Sequence, residues 1–94
     1  MAYLSPTQLA AVAEAGGFQG NEKRIAIAVA YAESRANPAA HHVTSREDSR
    51  GLWQINVKAW PQYRDRNLYD PVTNARTTHE ISTAGRKWNY WSNE

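Results

Sequence analysis

The chain opens with a short amphipathic pattern. Leu9, Val12 and Ala13 fall on one helical stripe. The preceding segment Ser5-Pro6-Thr7-Gln8 is typical of a helix start, because serine can cap, proline suits the first helical position and glutamine stands at the capping-box spacing. Gly16-Gly17 is typical of a helix end. The pattern therefore predicts a first helix between these two signals.

A longer helical pattern runs from Glu22 to about Arg35. Asn21 is the expected N-cap, and the negative charge of Glu22 suits the positive end of a helix dipole. Asn37-Pro38 should stop the helix, because the residue before a proline is biased away from the helical conformation.

The middle of the chain changes from polar to apolar. Residues 37–50 are polar and rich in loop formers. The block Gly51-Leu52-Trp53-Gln54-Ile55-Asn56 is too apolar for a free loop, so it predicts a buried extended segment or one arm of a hairpin, packed on the second helix. Trp60-Pro61 marks another break.

The last part of the chain predicts a third helix and an ordered tail. Asp70-Pro71 joins a capping residue to a proline, so a helix is expected from Pro71 to about Ala84, ending at Gly85. The tail from Trp88 to Trp91 is too aromatic for a disordered end and should fold back on the body. Three helices and one short β-hairpin make the predicted fold mainly α, a small α+β domain.

Composition narrows the class of protein. The 94 residues suit one domain, residues 1–94, and four tryptophans supply large anchors for a thin core. With no cysteine, neither disulfides nor thiol chemistry are available. The first residues do not resemble a signal peptide, and no segment is long and apolar enough to span a bilayer. A net charge of +2, carried mostly by eight arginines, suits an anionic partner without requiring one.

One carboxylate stands out in the second helix. Glu33 shares a helical face with three apolar residues: Ala26, Val29 and Ala30. It also lies in the last turn, where the helix dipole disfavours negative charge, so burial and dipole should both raise its pKa. A carboxyl group kept protonated near neutral pH can protonate the leaving oxygen of a glycosidic bond. The plainer interpretation is a structural glutamate paired with an arginine such as Arg50 or Arg76.

Four blocks in order carry a family resemblance. They are Ala32-Glu33-Ser34, Asn37-Pro38 with Ala40, Ser49 with Gly51 to Asn56, and Asp70-Pro71 with Asn74-Ala75; Gly85, Trp88 and Trp91 follow at the end. Together they resemble the lytic-transglycosylase and goose-type lysozyme group, and more closely the small lysozyme-like domains of endolysins and tail proteins from actinobacterial phages. The likeness spans about Leu9 to Trp91 and implies a minimal lysozyme-like domain.

The resemblance implies roles for individual residues. Glu33 would be the catalytic acid, Ser34 would brace the helix end beside it, and Gln54 would bind substrate across the cleft. Trp53 and Ile55 would alternate with Gln54 and face inward. The further candidates for substrate binding are Asn56, His41 and Tyr90.

Two mechanisms stay open for cleavage between N-acetylmuramic acid and N-acetylglucosamine. Goose-type enzymes carry an aspartate where this chain has Asn56, which cannot act as a base. Asp48, next to Glu47, is the candidate for the second carboxylate that an inverting muramidase needs. A lytic transglycosylase needs none, because the substrate supplies the nucleophile. Asp48 makes the muramidase the preferred interpretation, although this residue could equally be a solvated loop charge.

Rival functions have weaker support in the sequence than a glycosidase. The residues His41, His42, His79 and Asp48 match no zinc spacing, so no metal and no other cofactor is expected. Four arginines, Arg46, Arg50, Arg64 and Arg66, could bind nucleic acid, but they form no single helix face. A wall-binding domain without activity would not need Glu33.

We therefore expect peptidoglycan glycan strands as the partner, with neither nucleic acid nor membrane. The protein is expected to be a monomer encoded by a phage. It would pass from the host cytoplasm to the wall, or be carried on the virion.

Overall fold

The computed structural model describes residues 3–91 and contains three α-helices and one small sheet. The helices are α1 (Pro6–Ala15), α2 (Gly20–Ser34) and α3 (Pro71–Ile81). The strands β1 (His41–Val43), β2 (Asp48–Arg50) and β3 (Ile55–Asn56) pair antiparallel in the order β1-β2-β3. Two single-turn 3-10 helices occupy Pro61–Tyr63 and Asn89–Trp91. This arrangement confirms the predicted small α+β class with three helices.

Local sequence signals set both ends of α1. Ser5 and Gln8 form a reciprocal capping box, in which the Gln8 backbone N–H donates to the Ser5 hydroxyl at 3.1 Å and the Ser5 backbone N–H donates to the Gln8 side chain at 2.8 Å. Gly16 is the C-cap, and Gly17 follows with a φ of 115°, a conformation that favours glycine. The predicted first helix is therefore confirmed at both ends.

The start of α2 differs from the prediction. Gln19, not Asn21, is the N-cap residue, and its side chain makes no capping hydrogen bond. Gly20 has a φ of 58°, so the chain turns sharply there and the helix begins one residue before the expected cap. At the other end, Arg35 and Ala36 both adopt left-handed conformations, which end the helix before Asn37-Pro38.

The sheet is larger than the sequence pattern indicated. Residues 37–50, interpreted as a loop, contain both β1 and β2, with His41 opposite Arg50 in the register. Residues 51–54 are a turn and not an extended segment, and Gln54 has a left-handed φ of 51°. Only Ile55–Asn56 pairs as a strand, with Asn56 opposite Ser49. The hairpin predicted around residues 51–56 is therefore the β2–β3 hairpin, closed by this turn.

The third helix ends earlier than expected. Asp70 caps α3 by accepting a hydrogen bond from the Thr73 backbone N–H at 3.0 Å, as predicted. The helix stops at Ile81, before Ala84, because Thr83 and Ala84 take left-handed conformations that a helix cannot continue.

Aromatic side chains hold the core together. Trp53 is fully buried, its ring lies 6.2 Å from that of Phe18, and its indole N–H donates to the Ala26 carbonyl of α2 at 2.9 Å. Trp88 also stacks on Phe18, with ring centroids 5.8 Å apart, and the Trp91 indole N–H donates to the Trp53 carbonyl at 2.6 Å. The aromatic tail therefore folds back on the body, as predicted. Within residues 3–91, no helix is both long and apolar enough to cross a membrane.

Candidate active site

Glu33 lies at the edge of the core, near the end of α2, with its side chain half-buried. Neither Arg50 nor Arg76 pairs with it, and among residues 3–91 its carboxyl group has no hydrogen-bond or ion-pair partner. Because no buried side-chain oxygen or nitrogen in this part of the chain lacks a partner, the carboxyl oxygens must be reached by solvent. Glu33 is thus a carboxyl group at the wall of an open cavity, and not one arm of a structural ion pair.

The surroundings of Glu33 favour its protonated form. Burial raises the pKa of the Glu33 carboxyl above its ordinary value, and the negative charge of Glu47 raises this pKa further. His42 acts in the opposite direction and lowers the pKa. Since burial is the largest cause, the net effect keeps the Glu33 proton at a higher pH than for a solvated glutamate.

Three adjoining cavities form a groove along this face, which we call the cleft. The first cavity, about 330 Å³, lies between α2 and the sheet and is lined by Glu33, His42 and Glu47. The second, about 190 Å³, also holds Glu33 and Glu47, and adds Ser49 and Asn56. The third, about 320 Å³, continues beneath the aromatic tail. Gln54 lines all three cavities, so it lies at the centre of the cleft.

Strand alternation decides which hairpin residues face the cleft. Residues paired across an antiparallel ladder lie on one face of the sheet, and neighbours along a strand lie on opposite faces. The pairs His42–Ser49 and Ser49–Asn56 therefore share one face, and all three residues line cavities of the cleft. Asp48 and His41 belong to the opposite face.

The structure corrects the expected position of Asp48. Its carboxylate accepts hydrogen bonds from the Arg50 guanidinium at 3.0 and 3.1 Å and lies 2.7 Å from the His41 Nε2. The hydrogen bonds from Arg50 and then from His41 lower the pKa of Asp48 to about 2. Asp48 lines neither of the cavities that hold Glu33, because it points away from them and serves the hairpin.

Glu47 is the carboxylate that shares cavities with Glu33. It lies in the turn between β1 and β2, and the Ser49 hydroxyl, which is almost fully buried, donates a hydrogen bond to it at 2.6 Å. In the sequence, Glu47 stands out only as a neighbour of Asp48. The signal that separates them is the alternation of β2, which was visible only once residues 48–50 were known to form a strand.

The residues beside Glu33 hold the site together from within. The Ser34 side chain is buried, with its hydroxyl 2.7 Å from the Leu52 carbonyl oxygen, so it connects the end of α2 to the turn that carries Gln54. The Gln54 amide N–H group donates to the carbonyls of Ala40 and Gly51 at 3.1 and 3.0 Å. Its side chain is thereby fixed at the centre of the cleft.

The other predicted binding residues divide between the two faces. Asn56 lines the cleft, but its side-chain oxygen also accepts hydrogen bonds from the backbone N–H groups of Asp48 and Lys58. Tyr90 is about half exposed and lines both the second and the third cavity of the cleft. His41 lies outside it, with its ring edge-on to Tyr69 at 6.0 Å.

The residues of the rival functions are used elsewhere. His79 packs edge-on against Phe18, far along the chain from the His41–Asp48 pair, and no group of three potential metal ligands occurs within the described residues 3–91. Arg66 pairs with Glu80 at 2.9 Å, as Arg50 does with Asp48, so two of the four arginines weighed for nucleic-acid binding are engaged in ion pairs.

Comparison with known proteins identifies one family. A family model described as "Lysozyme like domain" matches residues 10–93, which is most of the chain. No curated protein matches significantly, and no solved structure does. The match covers the helix with Glu33, the hairpin, the Gln54 turn and the aromatic tail. The chain therefore belongs to the lysozyme-like domain family, a group of peptidoglycan glycosidases and lytic transglycosylases.

Proposed function

We propose that this protein is a muramidase, which hydrolyses the β-1,4 bond between N-acetylmuramic acid and N-acetylglucosamine in peptidoglycan. One observation carries the proposal: two carboxyl groups, Glu33 and Glu47, line the same cavity, and the pKa of Glu33 is raised. Glycoside hydrolysis with inversion uses such a pair, in which one group is protonated and the other is ionised.

The chemistry assigns one proton transfer to each group. Glu33 gives its proton to the glycosidic oxygen as the bond from this oxygen to the anomeric carbon breaks. A water molecule forms the new bond to that carbon from the other face of the sugar, and its proton passes to the Glu47 carboxylate. Ser49 supports this role, because its hydroxyl donates to one Glu47 oxygen and leaves the other free to accept.

Substitution of the two carboxylates tests the proposal. Glu33→Gln keeps the side-chain shape but cannot give a proton, so cleavage of purified cell wall should fall on the order of a hundredfold or more. In Glu47→Gln, the rate of cell-wall cleavage should fall by about 10²–10⁴-fold, the usual contribution of a general base. Glu14→Gln is the matched control, because Glu14 is an exposed carboxylate of α1 and should retain the wild-type rate. A Glu33→Gln variant with a tenth or more of wild-type activity would refute the proposed acid.

A lytic transglycosylase is the second candidate. Asn56 cannot act as a base, and Asp48 is bound by Arg50 and His41. Apart from Glu33 itself, Glu47 is the one carboxylate that lines the two cavities with Glu33, so hydrolysis would need Glu47 as its base. In a transglycosylase the muramic acid 6-hydroxyl would attack instead of water. Mass spectrometry of the released muropeptides separates the two, since hydrolysis adds water and transglycosylation leaves 1,6-anhydro ends. Anhydro products, together with an active Glu47→Gln variant, would show that the protein is a lytic transglycosylase and not a muramidase.

The setting of this activity is also part of the proposal. The likeness to phage endolysins and tail proteins suggests action on the host wall, either after release from the cytoplasm or from the virion. Clearing of a cell-wall suspension by the purified protein from outside tests access to the substrate.

A further inference from the structure

The residue at the centre of the cleft has an unusual backbone conformation. Gln54 lines all three cavities, and its φ of 51° lies in the left-handed region that residues other than glycine rarely adopt. Such a conformation persists only where contacts with the rest of the structure hold it, and it occurs often at functional sites. The contacts that hold the peptide group before Gln54 therefore decide where its side chain points.

The Trp53–Gln54 peptide group is hydrogen-bonded at both edges. Because a peptide group is planar, the Trp53 carbonyl and the Gln54 N–H turn together. The Gln54 N–H donates to the Gly51 carbonyl at 3.0 Å, which is a bond within the turn. The Trp53 carbonyl accepts from the Trp91 indole N–H at 2.6 Å and has no other donor among residues 3–91. The first restraint is local, whereas the second comes from the aromatic tail.

The bond from Trp91 has no substitute in solvent. Trp53 is fully buried, so water does not reach its carbonyl, and a buried carbonyl without a donor is unfavourable. The Trp91 ring is itself held in place, because it lies 5.0 Å from the Trp88 ring and packs against a cluster of buried aliphatic residues. These residues are Ile55, Val57, Leu68 and Ile81. The donor is therefore fixed before any substrate binds.

The orientation of this peptide group determines what Gln54 offers to the cleft. The side-chain nitrogen donates to the Ala40 and Gly51 carbonyls. The side-chain oxygen has no partner within the described residues 3–91 and is not buried, since every buried side-chain oxygen there is hydrogen-bonded. Rotation of the peptide plane would move the Gln54 Cα, break both bonds of the side-chain nitrogen and turn the oxygen away.

We propose that Trp91 is a positioning residue for the reaction. Its indole N–H fixes the Trp53–Gln54 peptide group, so that the Gln54 side-chain oxygen stays directed into the cleft and accepts a hydrogen bond from the substrate. Trp91 thus acts on the reaction through Gln54, by the bond to the Trp53 carbonyl. This inference rests on the proposed function, because that function supplies the substrate.

A double-mutant cycle tests the connection between Trp91 and Gln54. Trp91→Phe keeps an aromatic ring but removes the N–H, and it should lower kcat/KM for wall cleavage by about tenfold, the rate equivalent of one neutral hydrogen bond. Gln54→Ala should lower kcat/KM as well. In the Gln54→Ala background, Trp91→Phe should cost less than about twofold, because residues that act through one another are not additive.

Trp88→Phe is the matched control. It removes an indole N–H from the same tail, but that group donates to the Gly85 carbonyl at 2.8 Å and does not reach the Gln54 turn. Its kcat/KM should stay within about twofold of wild type, with or without Gln54→Ala. If Trp91→Phe does not fold, β-(3-benzothienyl)alanine at position 91 replaces it, since sulfur takes the place of the N–H in a ring system of similar size.

Nuclear magnetic resonance gives a readout that does not depend on activity. The Gln54 side-chain amide protons, which are bonded to the Ala40 and Gly51 carbonyls, should exchange faster with water in Trp91→Phe and remain as in wild type in Trp88→Phe. Additive losses in the cycle, or unchanged Gln54 amide signals in the folded protein without the Trp91 N–H, would overturn the positioning role. If the wild-type protein does not cleave wall, the proposed function fails, and the amide signals still decide whether Trp91 positions Gln54.

Discussion

Asn74 offers a sharp test of how the site is supported. It is fully buried in α3, and its side chain bonds to the residue before the Gln54 turn, to a residue within that turn and to Leu68. The side-chain oxygen accepts from the Trp53 backbone N–H at 3.2 Å, and the amide nitrogen donates to the carbonyls of Arg50 and Leu68 at 2.9 and 2.8 Å. One side chain therefore fixes three backbone groups around the turn.

Replacement by aspartate isolates the two donated hydrogen bonds. Asn74→Asp keeps the shape and the acceptor, but two carbonyls lose their donor and face a carboxyl oxygen instead. Each buried group left unsatisfied costs about 1–3 kcal/mol, so the two together cost about 2–6 kcal/mol. A domain of this size has a free energy of unfolding of only about 5–15 kcal/mol. The variant should therefore lose a large fraction of its stability.

Urea unfolding followed by far-UV circular dichroism measures this loss at pH 7 and at pH 4. The introduced carboxyl group is buried without a cation, so the loss of stability relative to wild type should be larger at pH 7, where ionisation is favoured in the unfolded state, than at pH 4. Asn67→Asp is the control, because Asn67 is exposed and its oxygen, which aspartate retains, accepts from the Tyr69 backbone N–H. A loss below about 1 kcal/mol at pH 7 would show that Asn74 does not hold the turn.

Three further substitutions follow from the same structure. Glu33→Gln should raise the free energy of unfolding at pH 7, because a carboxyl group with a raised pKa in the folded state loses stability as pH rises from its unfolded pKa through its folded pKa. The gain should vanish below the unfolded pKa. Urea titrations that show no gain at any pH would contradict the burial argument. Asp48→Asn should retain near-wild-type wall cleavage but lose stability at neutral pH. This loss should disappear as pH falls from 3.8, the ordinary aspartate pKa, toward 2, because wild-type Asp48 itself becomes protonated in that range. A large loss of activity in a folded variant would show that Asp48 takes part in the reaction. Trp88→Ala should cost about 3 kcal/mol in thermal or urea unfolding, since Trp88 stacks on Phe18; wild-type melting with lost chitooligosaccharide binding would make it a ligand contact instead.

Short-range signals in the sequence determined the helices. The capping box at Ser5, the Asp70 cap and the glycines after α1 act within one turn of the chain, so their effect is visible without the fold. The same is true of Glu33, whose place at the edge of an apolar helix face follows from helical spacing. The predicted start of α2 and end of α3 were wrong because of backbone conformations. Gly20, Thr83 and Ala84 all adopt positive φ, and among these only glycine is a residue type that favours this conformation.

The sequence also established the family, because four blocks in a fixed order are specific even when each block is weak. It could not say how those blocks meet. Two examples are contacts between distant segments. Asn74 supports the turn before Gln54, and the Trp91 indole bonds to Trp53, 38 residues away. Nothing in the local pattern distinguishes these side chains from others that merely fill the core.

Only the tertiary structure chose between Glu47 and Asp48. The two are adjacent in the chain and have the same chemistry, so composition and spacing treat them alike. Pairing of β2 with β1 and β3 puts Asp48 on the outer face, against Arg50 and His41, and leaves Glu47 in the turn beside the cleft. The physical reason is that successive residues of a strand point to opposite faces, so a register shift of one residue would exchange them, and the register is set by contacts with the rest of the fold.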